Sequence, residues 1–143
     1  CLLKYILKEV YMIKGNCFCG GISYEYYGEI EEISMCHCSQ CRKAQGSAFV
    51  AISPVESTKF QIIKGEHLLK EYRGTPHKAR FFCSNCGSPI YSARDDLPEV
   101  KRLRLGTLDT LVQCSNKYHV HIASKAPWYE LIDQLPKYTE GKV

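Results

Sequence analysis

The stretch Cys36-His37-Cys38-Ser39-Gln40-Cys41 places three thiols within six residues. Two cysteine pairs flank it at a distance, Cys17-Phe18-Cys19 before it and Cys83-Ser84-Asn85-Cys86 after it. Zn²⁺ in proteins is almost always four-coordinate, and thiolates at such short spacings are typical ligands. Groups of two, three and two thiols divide cleanly in one way: the pairs form a closed four-thiolate site, and the triple forms a separate site. The sequence therefore predicts two zinc ions per chain, one structural and one of the catalytic type.

The cysteine content also indicates the compartment. The chain has 143 residues and nine cysteines, an odd number whose C-x-C and C-x-x-C spacings suit metal binding better than a disulfide framework. Metal-bound thiolates require a reducing compartment, so we expect a cytoplasmic protein. No stretch reaches the length of a membrane-spanning helix, and residues 1–11 lack the uninterrupted apolar centre of a signal peptide. A membrane role is therefore not expected.

The length and composition predict one domain, expected to span residues 13–138. Residues 1–12 are interpreted as an N-terminal extension or an expression remnant, because Met12 lies just before the first cysteine pair. A genuine ordered segment at residues 1–11 is the alternative. Residues 139–143 are expected to form a C-terminal tail.

Short segments rich in β-branched and aromatic residues predict a mainly β fold, a single domain of about eight short antiparallel strands with zinc knuckles. Residues 60–63 and 68–72 have the pattern of a hairpin, and residues 47–52 predict a strand that ends at Ser53-Pro54. Residues 102–105 alternate arginine with leucine, which is typical of a strand with one polar face. A helical turn is expected at residues 128–133.

One short helix is predicted directly after the second thiol of the triple. Ser39 is the expected N-cap, residues 40–45 the helix, and Gly46 its C-terminal stop. This places Cys41 in the first turn, where free backbone N–H groups and the helix dipole favour a thiolate or a bound anion.

The fourth ligand position of the triple is left open by its spacing. Candidates that would close it are His119, His121 and Cys114, whereas His37 is unsuitable because neighbouring side chains on an extended chain point apart. Without such closure, the fourth position would take water or substrate. Three thiolates make zinc a weak Lewis acid, so the centre suits binding a substrate thiol as its thiolate.

Four motifs occur in order along the chain: Gly15-x-Cys17-x-Cys19-Gly20-Gly21, Cys36-His37-Cys38-x-x-Cys41-Arg42-Lys43, Phe82-Cys83-x-x-Cys86-Gly87 and Ser124-Lys125-Ala126-Pro127-Trp128. This set resembles the glutathione-dependent formaldehyde-activating enzyme family, which also includes centromere protein V, over about residues 13–138. The resemblance implies a mainly β fold similar to the Mss4 scaffold. It also implies structural zinc on Cys17, Cys19, Cys83 and Cys86, and catalytic-type zinc on Cys36, Cys38 and Cys41.

The activity implied by the resemblance is the joining of glutathione to formaldehyde, a carbon–sulfur lyase reaction in reverse that gives S-(hydroxymethyl)glutathione. The chain is similar to compact members of the family, so the fold and metals carry over more directly than the substrate. The first hypothesis is therefore a zinc-dependent carbon–sulfur lyase acting on a small thiol such as glutathione and on its carbonyl adduct. The alternative is a non-catalytic zinc protein that binds glutathione or a macromolecular partner.

The distribution of charged residues limits the kinds of partner that the protein is expected to bind. The formal net charge of +4 falls close to neutrality once seven thiolates bind two Zn²⁺, and no basic run with interleaved aromatics occurs, which disfavours nucleic acid. Glutathione carries two carboxylates and needs cations near the triple. Arg42 and Lys43, next to Cys41, are the expected binding residues, and Arg80 and Arg94 are further candidates. The alternative is that these side chains are simply solvated charges on the surface. The oligomeric state is left open.

Overall fold

The computed structural model describes residues 12–142, and these residues form ten strands and one α-helix. The interpretation of residues 1–11 and the last residue of the expected tail lie outside this range. No helix within it is long and apolar enough to cross a membrane. The elements in order are β1 (Met12–Asn16), β2 (Ser23–Tyr27), β3 (Ile33–Cys36), α1 (Ser39–Gln45), β4 (Val50–Glu56), β5 (Phe60–Lys64), β6 (Leu69–Thr75), β7 (Lys78–Cys83), β8 (Pro89–Arg94), β9 (Val100–Arg104) and β10 (Lys117–Val120).

The strands form two sheets. The smaller has the order β1-β2-β5, and the larger has the order β10-β3-β4-β9-β8-β7-β6. All pairs are antiparallel except β10 with β3, which are parallel. The mainly β prediction is confirmed, with one parallel pair added at the edge of the larger sheet.

The main core is built from side chains of both sheets. Tyr24 of β2, Ile90 of β8 and Leu103 of β9 are almost fully buried, and Phe60 packs its ring against Tyr24 at a centroid distance of 5.1 Å. Alternation explains this, because every second residue of a strand points to the same face. A smaller apolar cluster lies around Cys36 and holds the start of the thiol triple.

Two strand predictions are wrong in their partners or limits. β5 pairs with β2 and β6 pairs with β7, so the expected hairpin does not form. Gly65, at a φ of 79°, and a 3-10 turn at Glu66–Leu68 instead carry the chain from one sheet to the other. The strand predicted to end at Ser53-Pro54 continues through Pro54 as β4. Proline lacks a backbone N–H, which is tolerated here because β3 pairs only with residues 50–52 and no strand pairs with Pro54 on the β3 side.

The helical turn expected at residues 128–133 is also wrong. The chain there is irregular, with a turn at residues 127–128, and Lys125 Nζ donates a hydrogen bond to the carbonyl of Ala126 and another to that of Tyr129. These bonds satisfy carbonyls that a helix would otherwise pair internally.

We expect Gly65→Ala to cost about 3 kcal/mol of stability, the upper part of the usual range for one substitution. An added Cβ would overlap the carbonyl oxygen of Gly21, in addition to the strain of the left-handed conformation. Gly46→Ala is the matched control, because Gly46 has a φ of 63° but open space around it, and should cost about 1 kcal/mol. Chemical denaturation measures both, and equal losses would mean that the overlap relaxes without cost.

Candidate metal centres

The first thiol group joins the two sheets. Cys17 and Cys19 follow β1 of the smaller sheet, whereas Cys83 ends β7 of the larger sheet and Cys86 follows it. The four sulfur atoms lie within 4.8 Å of one another, so this group could hold a metal ion. Filled four-thiolate sites are structural, and this one would fasten strands more than sixty residues apart in sequence.

Backbone N–H groups next to the first cysteine pair donate hydrogen bonds to its sulfur atoms. Ile22 N donates to Cys17 Sγ at 3.2 Å, and Gly21 N donates to Cys19 Sγ at 3.4 Å. A hydrogen bond from Ser88 is the largest of several effects that lower the pKa of the Cys86 thiol to about 5, whereas burial chiefly raises the pKa of the Cys83 thiol to about 11. The surroundings therefore favour the thiolate, the metal-binding form of cysteine, at Cys86, and a bound cation would favour it at Cys83 as well.

The second thiol group lies where β3 meets the helix. Cys36 ends β3, Cys38 caps α1 and Cys41 lies in the first turn of α1, with all three sulfurs within 4.8 Å of one another. The predicted N-cap, Ser39, is wrong by one residue, because Cys38 has the extended conformation and its Sγ accepts the Cys41 N–H at 3.4 Å. Gly46 ends the helix in the left-handed conformation, as predicted.

The electrostatics of this group favour a thiolate at Cys41. Its pKa is lowered to about 5, chiefly by a hydrogen bond from the Cys36 thiol and further by the Cys38 thiol and two nearby cations, Lys78 and Arg104. The pKa of Cys36 is raised, because it donates to Cys41 and is buried. A bound cation would remove this difference in pKa between Cys36 and Cys41, because it favours the thiolate at all three positions.

The residues proposed to close the fourth position are engaged elsewhere. His119 bonds His37 through Nδ1 and Asp133 through Nε2. His121 lines the same cavity as the three thiols, but its Nδ1 faces a Glu140 carboxylate at 3.6 Å and its ring nitrogens are not grouped with their sulfurs. Cys114 Sγ contacts the carbonyl of Asn116. Within residues 12–142, no further histidine, cysteine or carboxylate joins the three thiols. The donor set of three thiols therefore fits a metal ion with one position left for an external ligand.

A cavity of about 710 Å³ opens over the three thiols. Its lining includes Lys78 of β7 together with Arg102 and Arg104 of β9. The strict alternation of residues 102–105 is the signal that could have located these two arginines, because it puts them on one face of the strand. Lys78 carried no such signal.

Arg104 is the most unusual of these cations. Its side chain is only 4% exposed, and Nη1 donates to Ser92 Oγ at 2.9 Å and to the carbonyl of Arg102 at 3.1 Å. Burial lowers its pKa to about 10. Neither Arg104 nor Lys78 forms an ion pair with a carboxylate in the described part of the chain. Buried charges are normally paired, so this cavity is suited to an anion.

The cations expected from the sequence lie elsewhere around the site. Arg42 Nε donates to the carbonyl of His37 at 3.3 Å, and Lys43 is exposed at a second cavity of about 530 Å³ that shares Gln40 and Arg104 with the first. Arg80 lines that second cavity and donates to Gln40 Oε1 at 3.3 Å. The roles of Arg42 and Lys43 in ligand binding stay predictions.

Arg94 is removed from the thiols. Its guanidinium pairs with Asp96 at 2.6 and 2.9 Å on the surface. It lines a third cavity, together with His77 and Lys78.

The fold and the two thiol groups define a mainly β protein with one four-cysteine and one three-cysteine centre that could hold metal. The profile of the glutathione-dependent formaldehyde-activating enzyme family matches residues 12–124. The chain belongs to this family.

Two individual proteins are also similar to this chain. An uncharacterized lyase of Schizosaccharomyces pombe is 35% identical over 80 residues, which are 56% of this chain and 56% of that protein. The chain thus matches only about half the length of this curated relative. A crystal structure of a Rhodobacter sphaeroides protein aligns with a TM-score of 0.57 at 25% identity, covering 68% of this chain and 89% of that one.

Proposed function

We propose that the protein is a zinc-dependent carbon–sulfur lyase that acts on a small anionic thiol of the glutathione type and on its carbonyl adduct. The observation that supports this most directly is the position of the three thiols. They lack a fourth ligand among residues 12–142 and line a cavity that also contains the unpaired Lys78 and Arg104.

The donor set is the reason for choosing zinc. Soft thiolates select Zn²⁺ over hard cations such as Mg²⁺ and Ca²⁺. Zinc held by Cys36, Cys38 and Cys41 would bind the substrate sulfur as a thiolate. The four-thiol group at Cys17, Cys19, Cys83 and Cys86 would hold a second zinc ion and contribute to folding only.

The cavity cations would bind and orient the substrate. In the synthetic direction, sulfur adds to the carbonyl carbon, a C–S bond forms, the C=O π bond breaks, and the thiol proton ends on the carbonyl oxygen. Negative charge develops on that oxygen, and a preorganised cation stabilises it. Lys78, Arg102 and Arg104 supply positive charge for this oxygen and for the substrate carboxylates.

The test uses the full chain with cobalt in place of zinc. Glutathione is expected to intensify the sulfur-to-cobalt charge-transfer absorption, because a fourth thiolate joins the metal. Cys41→Ser, which removes one ligand of the three-thiol centre only, should abolish that change. Turnover is then measured as formation of the formaldehyde adduct above the uncatalysed rate.

An unchanged spectrum on adding glutathione would refute thiol binding at this centre. A changed spectrum without turnover would instead support the non-catalytic alternative, a zinc protein that binds the thiol and holds it.

A further inference from the structure

A chain of hydrogen bonds runs behind the three-thiol centre and is not used by the proposed reaction. His37 Nε2 lies 2.8 Å from His119 Nδ1, and His119 Nε2 lies 2.8 Å from Asp133 Oδ2. The two imidazoles are 0% and 1% exposed. Two fully buried histidines in series with a carboxylate form a directed polar chain that leads from the surface to the metal-binding loop.

His37 is placed to control that loop because it lies between two of the thiols in sequence. Its N–H donates to the carbonyl of Val120 at 3.1 Å, and its carbonyl accepts from Arg42 Nε at 3.3 Å. Its ring packs against those of Phe49 and Tyr129, at centroid distances of 5.2 and 6.1 Å. The residue between Cys36 and Cys38 is therefore held both through its backbone and through its ring.

The other end of the chain is held by the C-terminal segment. Asp133 Oδ1 accepts from Lys137 Nζ at 3.0 Å and from Leu135 N at 3.1 Å, which sets the direction of the carboxylate. The same segment pairs with the backbone of His119, whose N–H donates to the carbonyl of Pro136 at 2.9 Å. Asp133 thus connects a segment distant in sequence to the loop of the thiol triple.

The hydrogen-bond network assigns the tautomers. A carboxylate only accepts, so His119 Nε2 carries a proton, and in the neutral imidazole His119 Nδ1 then accepts from His37 Nε2. His37 is then held as the Nε2–H tautomer, and its Nδ1 is a buried acceptor with no hydrogen-bond partner among the described residues. Without the Asp133 carboxylate, His119 has no fixed donor direction and His37 loses its defined partner atom.

We propose that Asp133 is a positioning residue for the three-thiol centre: through His119 it orients His37 and so holds Cys36 and Cys38 at the separation that a bound metal needs. This inference rests on the part of the proposed function that places a metal at these thiols. It does not depend on the identity of the substrate. It differs from the common arrangement in which a carboxylate orients a metal-ligating histidine, because neither histidine here is a ligand.

Asp133→Ala tests the proposal in the metal-loaded full chain. The side chain of Asp133 is 41% exposed, so its removal leaves no cavity in the core. Loss of an orienting partner typically weakens a metal site by about 10–100-fold, and we expect release from the three-thiol centre to a chromophoric chelator to accelerate by about that factor. Release from the four-thiol centre of the same molecule should not change.

Two further variants sharpen the comparison. Asp133→Asn keeps one oxygen that can accept from His119 Nε2–H, but its NH2 group would then face the donors Lys137 Nζ and Leu135 N. Release should therefore be slower than from Asp133→Ala but still faster than from the original chain. Glu130→Ala is the matched control, because this carboxylate is exposed in the same C-terminal segment and takes part in none of the ion pairs of the described residues. It should leave release from both centres unchanged.

The proposal is overturned if Asp133→Ala accelerates release equally from both centres, since that is general destabilisation, or if release does not change at all. It is likewise overturned if the original chain holds metal at the four-thiol group alone. If instead the selective acceleration occurs but glutathione leaves the cobalt spectrum unchanged, the positioning role stands and the proposed function fails.

Discussion

Cys83→Ser is expected to prevent the chain from folding. Cys83 is completely buried and belongs to the four-thiol group that joins β1 of one sheet to β7 of the other. A structural Zn²⁺ contributes an apparent 10–16 kcal/mol, roughly, to the folding of small zinc domains, while whole domains are stable by only about 5–15 kcal/mol. Loss of one ligand at this position therefore removes a contribution as large as the total stability.

The measurements are metal content, circular dichroism and thermal unfolding of protein kept reduced. Cys114→Ser is the matched control, because Cys114 is half-buried and lies outside both thiol groups. It should melt within a few degrees of the original chain. Cys41→Ser should also fold, with one metal ion fewer. A Cys83→Ser protein that unfolds cooperatively near the original melting temperature would show that the four-thiol group is not needed for folding.

Arg104→Met is expected to weaken glutathione binding by about 10–100-fold with little change in stability. Hydrogen bonds to charged groups are worth about 1.5–3 kcal/mol, and each 1.4 kcal/mol is about a factor of ten in affinity. The free energy of unfolding should change by less than about 1 kcal/mol, because removing an unpaired buried charge offsets the two hydrogen bonds that are lost.

Two controls separate the carboxylate contact from other effects. Arg73→Met makes the same substitution at a surface arginine that pairs with Glu71 and Asp95, and it should leave binding unchanged. Glutathione monoethyl ester, which lacks one carboxylate charge, should bind the original chain more weakly than glutathione does. Arg104→Met should reduce that difference, because coupled partners are non-additive. An undiminished difference would assign the carboxylate to another cation.

The sequence by itself determined the grouping of the thiols and the structure next to them. Ligand spacing is local, so C-x-C and C-x-x-C pairs are recognisable without knowledge of the rest of the chain. The position of Cys41 in the first helical turn and the stop at Gly46 follow from helix-end chemistry, which also acts over a few residues. The mainly β class follows from alternation and residue type for the same reason.

Only the tertiary structure decided which strands are partners and which charges meet the thiols. Every half-buried strand shows the same period of two, so alternation reveals a strand but not its neighbour, and β5 joins β2 instead of β6. Lys78 and Arg104 reach the cavity from β7 and β9, while the thiols come from β3 and α1. Asp133 likewise meets His119 only because the C-terminal segment returns along β10. These strand pairings and side-chain contacts depend on packing between segments distant in sequence, and such packing leaves no pattern within any one stretch of sequence.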